Sequence, residues 1–315
     1  MIPTIALVGN APAEKYEILN AVLDDESLPD MCDIQLYGAD GQAIREALHD
    51  AIDDYHDGIV GGIVCLPTSE PLTQIVAEIM GDEAKDILPL HIHSTNRMAS
   101  VTGTGTKTSQ EELTKAVTTL SKALKRDLSI LNPRIAVTSD GDDISTEDGS
   151  ADITAIAPAV SELVKSGIQA FGPIAAGKMF EGDGFMAFDA VMTMREGQCT
   201  EEFRKASNGE VSTLMAGIEI PMAQTEAEGL MQAISLVLDT ARNRKAYDIP
   251  FANPLQKLYH ERKEDGDKAR FAVKKKGFNP AEHRRENVNY IKAAPAQNTE
   301  SNKEETKTDK EKESE

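Results

Sequence analysis

This chain has 315 residues, of which 40% are hydrophobic, and its formal net charge is −20. Its length and apolar content are enough for one large domain or two lobes with a real core. The negative charge argues against binding to nucleic acid or to an anionic membrane over most of the surface. The three cysteines, Cys32, Cys65 and Cys199, have no Cys-x-x-Cys spacing, so neither a disulfide framework nor a zinc site is indicated.

The first third of the chain predicts alternating strands and helices. The opening stretch MIPTIALVGN is too short for the apolar region of a signal peptide, and no run of about 18 apolar residues follows it. We therefore expect a cytoplasmic protein without a membrane segment. The predicted strands are Thr4–Val8, Asp33–Tyr37 and Ile59–Leu66, and the predicted helices span 14–24, 41–55 and 70–80. This order is typical of βαβ units.

His91 and His93 stand two residues apart in PLHIHST, which places them on one face of a predicted strand. Such a pair could chelate a metal. A polar strand face is the favoured interpretation, because no third ligand lies nearby in the sequence. The helix predicted from Glu111 to Leu124 has Ser109 and Glu112 at capping-box spacing.

Residues 132–194 repeat a strand, helix, strand rhythm that is typical of an α/β core. Strands are predicted at 134–139, 168–171 and 187–194, a helix at 153–165, and a turn at Gly172-Pro173. Ligands of open α/β sheets lie outside the carboxyl ends of strands. The candidate site is therefore formed by Asp140–Asp143 and by Arg195–Gln198. The acidic loop Asp140–Asp148 could also hold Ca²⁺ or Mg²⁺, but a solvated surface loop is the favoured interpretation.

Four segments of this core resemble the 4-hydroxythreonine-4-phosphate dehydrogenase (PdxA) family. They are LNPRIAV (131–137), IAPAVSELVKSGI (156–168), FGPIAAGKMF (171–180) and DAVMTM (189–194). The resemblance covers roughly residues 1–245 and implies a two-lobed α/β/α fold of the isocitrate/isopropylmalate dehydrogenase type. It also implies a homodimeric, NAD-dependent enzyme of vitamin B6 synthesis, which oxidises and decarboxylates a phosphorylated hydroxy-amino acid with a divalent metal held by three histidines.

The resemblance places the three metal positions at Asp143, Glu196 and Ala227, none of which is a histidine. The family motifs Asn-Pro-His-Ala-Gly, Tyr-His-Asp-Gln-Gly and Asp-His-Gly-Thr correspond here to GDDIS (141–145), REGQC (195–199) and EAEG (226–229). Of the second motif, Gln198 matches.

The positions that the resemblance assigns to the substrate have changed as well. The family lysine corresponds to Arg204, the phosphate-binding asparagine to Thr213 and the phosphate-binding arginine to Met222. The arginine change removes a bidentate donor. The family motif Thr-Gly-Pro-x-x-Lys corresponds to CLPTSE (65–70), so Glu70 reverses a charge that would face phosphate.

Composition and the extent of the resemblance divide the chain into three segments. Residues 1–249 form the PdxA-like region, 250–294 a basic, partly helical extension, and 295–315 a polar tail that we expect to be disordered. The basic residues at 255–292 are interleaved with aromatic ones, so this stretch could bind nucleic acid, an acidic protein partner or the acidic body of the chain itself. The last alternative is favoured, and nucleic acid is the less expected partner.

Three functions therefore remain open. The first is a PdxA-like homodimer with a degenerate active site and a binding or regulatory role. The second is an active NAD-dependent dehydrogenase in which Asp143 and Glu196 hold Mg²⁺ or Mn²⁺ through oxygen ligands. The third is an interaction protein that acts through the basic extension. The first is favoured, because Ala227 offers no ligand atom and two phosphate contacts are missing.

Overall fold

The computed structural model describes residues 2–9, 20, 22–38, 43–101, 108–139, 147–195 and 197–249. The basic extension, the polar tail and most of the helix predicted over 14–24 lie outside these ranges. Within them the chain has an α/β fold built on one mixed sheet. No helix in these ranges is long and apolar enough to cross a membrane.

Ten strands and eight α-helices make up the described part of the chain. The strands are β1 (Thr4–Val8), β2 (Asp33–Tyr37), β3 (Ile63–Cys65), β4 (Leu88–His93), β5 (Asn96–Ser100), β6 (Arg134–Thr138), β7 (Gln169–Ile174), β8 (Ala190–Thr193), β9 (Ser212–Ala216) and β10 (Met222–Gln224). The helices are α1 (Leu28–Met31), α2 (Ile44–His56), α3 (Leu72–Met80), α4 (Gln110–Arg126), α5 (Glu147–Lys165), α6 (Ala176–Met179), α7 (Thr200–Ser207) and α8 (Leu230–Asp248).

The capping box predicted for α4 is confirmed. The backbone N–H of Glu112 donates to Ser109 Oγ at 3.2 Å, and the backbone N–H of Ser109 donates to Glu112 Oε2 at 2.8 Å. These two bonds satisfy backbone donors that the first turn of a helix leaves without partners. The start of α4 is therefore encoded locally.

Two local predictions were wrong. The strand predicted over Ile59–Leu66 is confined to β3, because the N–H groups of Ile59 and Val60 both donate to the Asp54 carbonyl, at 2.8 and 3.3 Å, and so close the turn after α2. Gly172 does not turn the chain but lies inside β7. A Cβ at this position would lie 2.6 Å from the Val137 carbonyl oxygen, so glycine allows β7 to approach β6 closely.

The sheet has the strand order β2-β1-β3-β10-β9-β4-β5-β8-β6-β7. Strands β2, β1, β3 and β10 are parallel to one another, and so are β5, β8, β6 and β7. The strands between these two sets are antiparallel to their neighbours, β9 to β10 and β4, and β4 to β5. The two parallel sets therefore run in opposite directions. We call the edge where β1, β2, β3 and β10 end the upper edge, and the edge where β5, β8, β6 and β7 end the lower edge.

Helices cover both faces of the sheet, and four hydrophobic clusters lie beneath them. On the back face, α8 packs over β1, β3 and β10, while α4 and α5 pack over β4–β6 and β8. Leu236 of α8 contacts both back clusters and joins them. On the front face, α2 and α3 cover one cluster, and α6 and α7 contribute to the other. The two expected lobes therefore share one continuous sheet.

A buried ion pair connects the two halves on the back face. Arg244 of α8 donates from Nε to Asp127 Oδ1 at 2.7 Å and from Nη2 to Asp127 Oδ2 at 3.0 Å. Asp127 caps the carboxyl end of α4, where a carboxylate alone would be unfavourable. Arg244 Nη1 also donates to the Glu219 carbonyl at 2.5 Å. One guanidinium thus holds α4, α8 and the turn between β9 and β10 together.

Replacing Arg244 by methionine should lower the free energy of unfolding by about 3–5 kcal/mol, because it leaves the Asp127 carboxylate buried without its partner. Urea unfolding followed by circular dichroism measures this change. The matched control is Arg242→Met, an exposed arginine of the same helix, which should change stability by less than about 0.5 kcal/mol. The double variant Asp127→Leu, Arg244→Met should lose less than Arg244→Met alone, and an equal or greater loss would contradict the ion-pair interpretation.

A candidate ligand site on the front face of the sheet

Three polar side chains lie side by side at the centre of the front face. Gln224 of β10 pairs with Thr213 of β9, which in turn pairs with His91 of β4. Their neighbours on this face are Met222, in one front cluster, and Met98, in the other. All three are partly buried. We call Gln224, Thr213 and His91 the front strip, because they form a polar row between two hydrophobic clusters.

Hydrogen bonds tie the front strip to the loop that precedes α3. His91 Nδ1 lies 2.9 Å from Thr213 Oγ1, and Gln224 Nε2 donates to Thr68 Oγ1 at 3.4 Å. The Thr68 hydroxyl donates in turn to the Glu70 carbonyl at 2.5 Å. The strip therefore forms two hydrogen-bonded pairs, His91 with Thr213 and Gln224 with Thr68, and the second pair connects it to a loop at the upper edge.

Arg204 of α7 supplies positive charge next to the strip. Burial and, to a smaller extent, the charge of Arg204 together lower the pKa of His91 from 6.5 to about 4. His91 is therefore a neutral hydrogen-bonding group at pH 7. Arg204 is exposed, and within the described ranges it has no carboxylate within 4 Å. An anion that reached the strip would meet this guanidinium.

A second polar row lies at the lower edge, where β5, β8 and β6 end. Ser100 pairs with Thr193 across the ladder, and their hydroxyls are 2.8 Å apart. Beyond them, Gln198 Nε2 donates to the Ser139 carbonyl at 2.8 Å, while Gln198 Oε1 accepts from the Met194 N–H at 3.0 Å. The prediction that the strands ending at Ser139 and Met194 finish on the same side is confirmed. Gln198 is the link between them.

Glu70 is paired within the protein. Its carboxylate accepts from Arg45, which also binds Glu78. All three side chains are exposed to a large extent, so the pairs contribute little to stability. Arg45 therefore offsets the negative charge at Glu70 only in part, because Glu78 shares the same guanidinium.

Met222 and Ala227 are buried, with relative exposures of 0% and 2%. Met222 lies in the front cluster under α2 and α3, and Ala227 begins a short 3₁₀ turn before α8. A methyl group cannot bind a metal, so the described metal position does not fit the ion that the family uses. Asp143 and Glu196 lie outside the described residues. Within those residues, no group of three His, Cys, Asp or Glu side chains is placed to hold a metal.

Sequence reasoning missed part of the site. His91 was considered as a metal ligand with His93, but His93 Nδ1 lies 2.6 Å from the Glu210 carbonyl, whereas His91 faces Thr213. Thr68 and Gln224 were not singled out. Gln224 directly follows the apolar run PMA, and a polar residue in that place is the sequence signal that could have identified it.

Comparisons with known proteins agree with this fold. The family model "Pyridoxal phosphate biosynthetic protein PdxA" matches residues 97–225, a range that contains Gln198, Arg204, Thr213 and Met222. A 4-hydroxythreonine-4-phosphate dehydrogenase of Bacteroides thetaiotaomicron is 26% identical over 267 residues, which is 72% of this chain and 71% of the relative. The chain is therefore similar to PdxA proteins in sequence, most clearly over the range of the family model.

Solved structures of PdxA proteins share the fold. The 4-hydroxythreonine-4-phosphate dehydrogenase of Klebsiella pneumoniae has a TM-score of 0.54 and 14% identity, covering 76% of this chain and 88% of the other. The enzyme of Burkholderia phymatum has a TM-score of 0.53 and 14% identity, with coverages of 77% and 98%. At this identity the likeness concerns the architecture alone.

Acidification should destabilise the PdxA-like chain partly through His91. The unfolded chain binds a proton near pH 6.5, whereas the folded chain keeps His91 neutral down to about pH 4. The stability linked to the neutral ring is therefore complete above pH 6.5 and is lost as the pH falls towards 4. We expect His91→Gln to lose about 2 kcal/mol less than the wild type between pH 7 and pH 4.5, measured by urea unfolding. An identical pH dependence in both proteins would contradict the assignment.

Proposed function

We propose that this PdxA-like protein binds a small anionic ligand over the front strip and does not catalyse the metal-dependent oxidation of 4-phosphohydroxythreonine. The observation that carries the proposal is the burial of Met222. Its side chain is fully enclosed by hydrophobic neighbours where the family has a phosphate-binding arginine. This position is therefore part of the core, and no small side-chain movement would bring a donor to a ligand.

The other described family positions support the same proposal. Gln198 uses both ends of its amide to connect β6 and β8, and Glu70 is paired with Arg45. Arg204 remains as an exposed cation beside Thr213 and His91. Loss of binding energy far from the reacting bond lowers turnover as well as affinity. A ligand held by Arg204 and the strip would thus be bound without the contacts that drive the family reaction.

NAD and a divalent metal are the cofactors that the resemblance to the PdxA family suggests. The metal would polarise the substrate oxygen in an oxidation of this kind. Ala227 provides no ligand atom for it, so we assign no chemical step to a metal in this chain. The residues that remain near the strip can bind and orient an anion, with Arg204 giving charge and Thr213 and His91 giving hydrogen bonds.

The decisive experiment combines metal analysis, turnover and binding. We expect purified protein to carry no zinc, and 4-phosphohydroxythreonine with NAD and Zn²⁺, Mg²⁺ or Mn²⁺ to give no NADH above background. The Bacteroides thetaiotaomicron relative, assayed in parallel, is the positive control. Calorimetric titration with the same substrate should show binding that Arg204→Gln weakens by about tenfold or more, whereas Arg242→Gln leaves it unchanged.

Each outcome bears on a different part of the proposal. NADH formation that is abolished by Asp143→Ala and by Glu196→Ala would replace it with an enzyme that uses carboxylate metal ligands. Absence of both turnover and binding would remove the front strip as the ligand site. Binding that survives in Arg204→Gln would show that the anion is held elsewhere.

We also propose that the chain forms a homodimer. Ala227 follows β10 at the upper edge, whereas Gln198 follows β8 at the lower edge. Four strand spacings, about 19 Å, separate β10 from β8. A single chain therefore keeps these two family positions apart, and a second copy could supply one to the other, as the resemblance to the PdxA family suggests.

Size-exclusion chromatography with light scattering should give a mass close to twice 34.1 kDa. The same measurement at several protein concentrations distinguishes a stable dimer from weak association. A mass of one chain at high concentration would contradict the dimer, but it would leave the predicted absence of turnover standing.

A further inference from the structure

A cavity of about 350 Å³ lies at the upper edge of the second half of the sheet, under α6 and α7. Its volume is within the range of small-molecule sites. The walls come from the amino ends of β5 and β8 and from the segment between α6 and β8. The side chains that matter for its chemistry are Phe180, Phe185, Phe188, Phe203, Arg97 and Asp189.

The cavity is separate from the second polar row. Asn96 lines the cavity, whereas Ser100, at the other end of β5, belongs to the lower-edge row. Four residues of extended chain separate these positions by about 13 Å. None of the front-strip residues lines the cavity. A ligand bound here would thus leave the front strip and the lower edge free.

The walls are aromatic in a chain that has few aromatic residues. Only 4% of the chain is aromatic, yet four of its eight phenylalanines line this one cavity. The ring of Phe180 lies 5.5 Å from that of Phe185 and 6.1 Å from that of Phe203, at tilted and edge-on angles. Aromatic rings favour such geometries with one another and with a flat apolar guest. The cavity is therefore suited to a ring.

Among the described residues, no carboxylate forms an ion pair with Arg97 within 4 Å, although the charge of Asp189 acts on it from a greater distance. Its Nη1 donates to the Thr95 carbonyl at 2.8 Å and to the Asp189 carbonyl at 3.4 Å, and its buried Nε has no acceptor within the described ranges. Burial lowers the pKa of Arg97, which reflects the cost of desolvating its charge. A partly buried charge is unfavourable unless it is paired. A bound anion would supply the missing partner.

Asp189, the carboxylate that lines the cavity in the described part of the chain, already accepts hydrogen bonds from Arg134. Asp189 Oδ2 accepts from the backbone N–H of Arg134 at 2.8 Å and from Arg134 Nε at 3.3 Å. These contacts hold the pKa of Asp189 below its usual value against the opposing effect of burial. Arg97, Arg134 and Asp189 together carry a net positive charge, so the cavity remains attractive to an anion.

We propose that this cavity binds a small aromatic carboxylate, with its ring between the phenylalanines and its carboxylate on Arg97. The guanidinium offers a planar pair of donors that matches a carboxylate. The proposal concerns a binding site and includes no chemical step. It is independent of the ligand that the front strip holds.

The test uses phenylacetate as the probe and phenylacetamide as its neutral analogue. Met186 lines the cavity and is 60% exposed, so ¹³C-methyl labelling of methionine gives a local signal, assigned with Met186→Leu. We expect the Met186 methyl signal to shift in a saturable way with phenylacetate, with a Kd of about 0.1–1 mM. Phenylacetamide should bind about tenfold more weakly, because it lacks the charge.

Arg97→Gln should weaken phenylacetate binding by about tenfold or more, whereas the matched control Arg242→Gln should bind as the wild type does. Circular dichroism shows whether each variant is folded. If Arg97→Gln does not fold, the difference in affinity of the wild type for phenylacetate and phenylacetamide tests the proposal. Equal affinity for both probes, a Met186 signal that does not move, or full binding by folded Arg97→Gln would each overturn the proposal.

Discussion

The backbone hydrogen bonds of β9 are the constraint on which the rest of the structure depends. This strand is antiparallel to both of its neighbours, β10 and β4, and β4 is in turn antiparallel to β5. The three antiparallel pairings join two parallel sets that run in opposite directions into one sheet. Because the two sets point opposite ways, their carboxyl ends lie at opposite edges, and the chain has two separate places where ligand-binding loops emerge. The bidentate pair of Arg244 and Asp127 then braces the same junction from the back.

Three side chains at positions that the resemblance assigns to the site make structural contacts in this chain. Gln198 connects two strand ends, Glu70 is paired with Arg45, and Met222 fills a hydrophobic cluster. Of the three, Met222 is enclosed in the core, whereas Gln198 and Glu70 already make contacts that a substrate would have to compete with. Restoring the family residue at one of these positions would require a compensating change nearby. For example, a charged side chain in place of Met222 would be buried without a partner.

Local features were predictable from the sequence, and tertiary ones were not. The capping box of Ser109 and Glu112 lies within four residues, and it was predicted and confirmed. The strands that end near Ser139 and Met194 were also predicted, because each contains a run of β-branched or apolar residues. In contrast, the interpretation of Gly172-Pro173 as a turn failed, since only the contact with Val137 on another strand shows why a glycine is needed there.

The candidate site, too, was predictable from the sequence only in part. Matching to family motifs identified Arg204 and Thr213, but hydrophobic periodicity does not encode the order of strands, so the meeting of β10, β9 and β4 in one polar row could not be foreseen. The phenylalanines of the cavity lie between residues 180 and 203, and their spacing fits no single helix or strand. Their proximity depends on how α6, α7 and the segment before β8 fold back over the sheet.

Because β7 lies at one end of the sheet, its sequence affects how readily the protein aggregates. An end strand presents unpaired backbone groups to solvent and can recruit a strand from another molecule, which is a route to aggregation. Pro173 lies within β7 and has no N–H to donate, so an incoming strand would find the hydrogen-bonding pattern interrupted there. The same short sequence that lets β7 fit closely against its own neighbour thus makes its outer side a poor template for fibril growth.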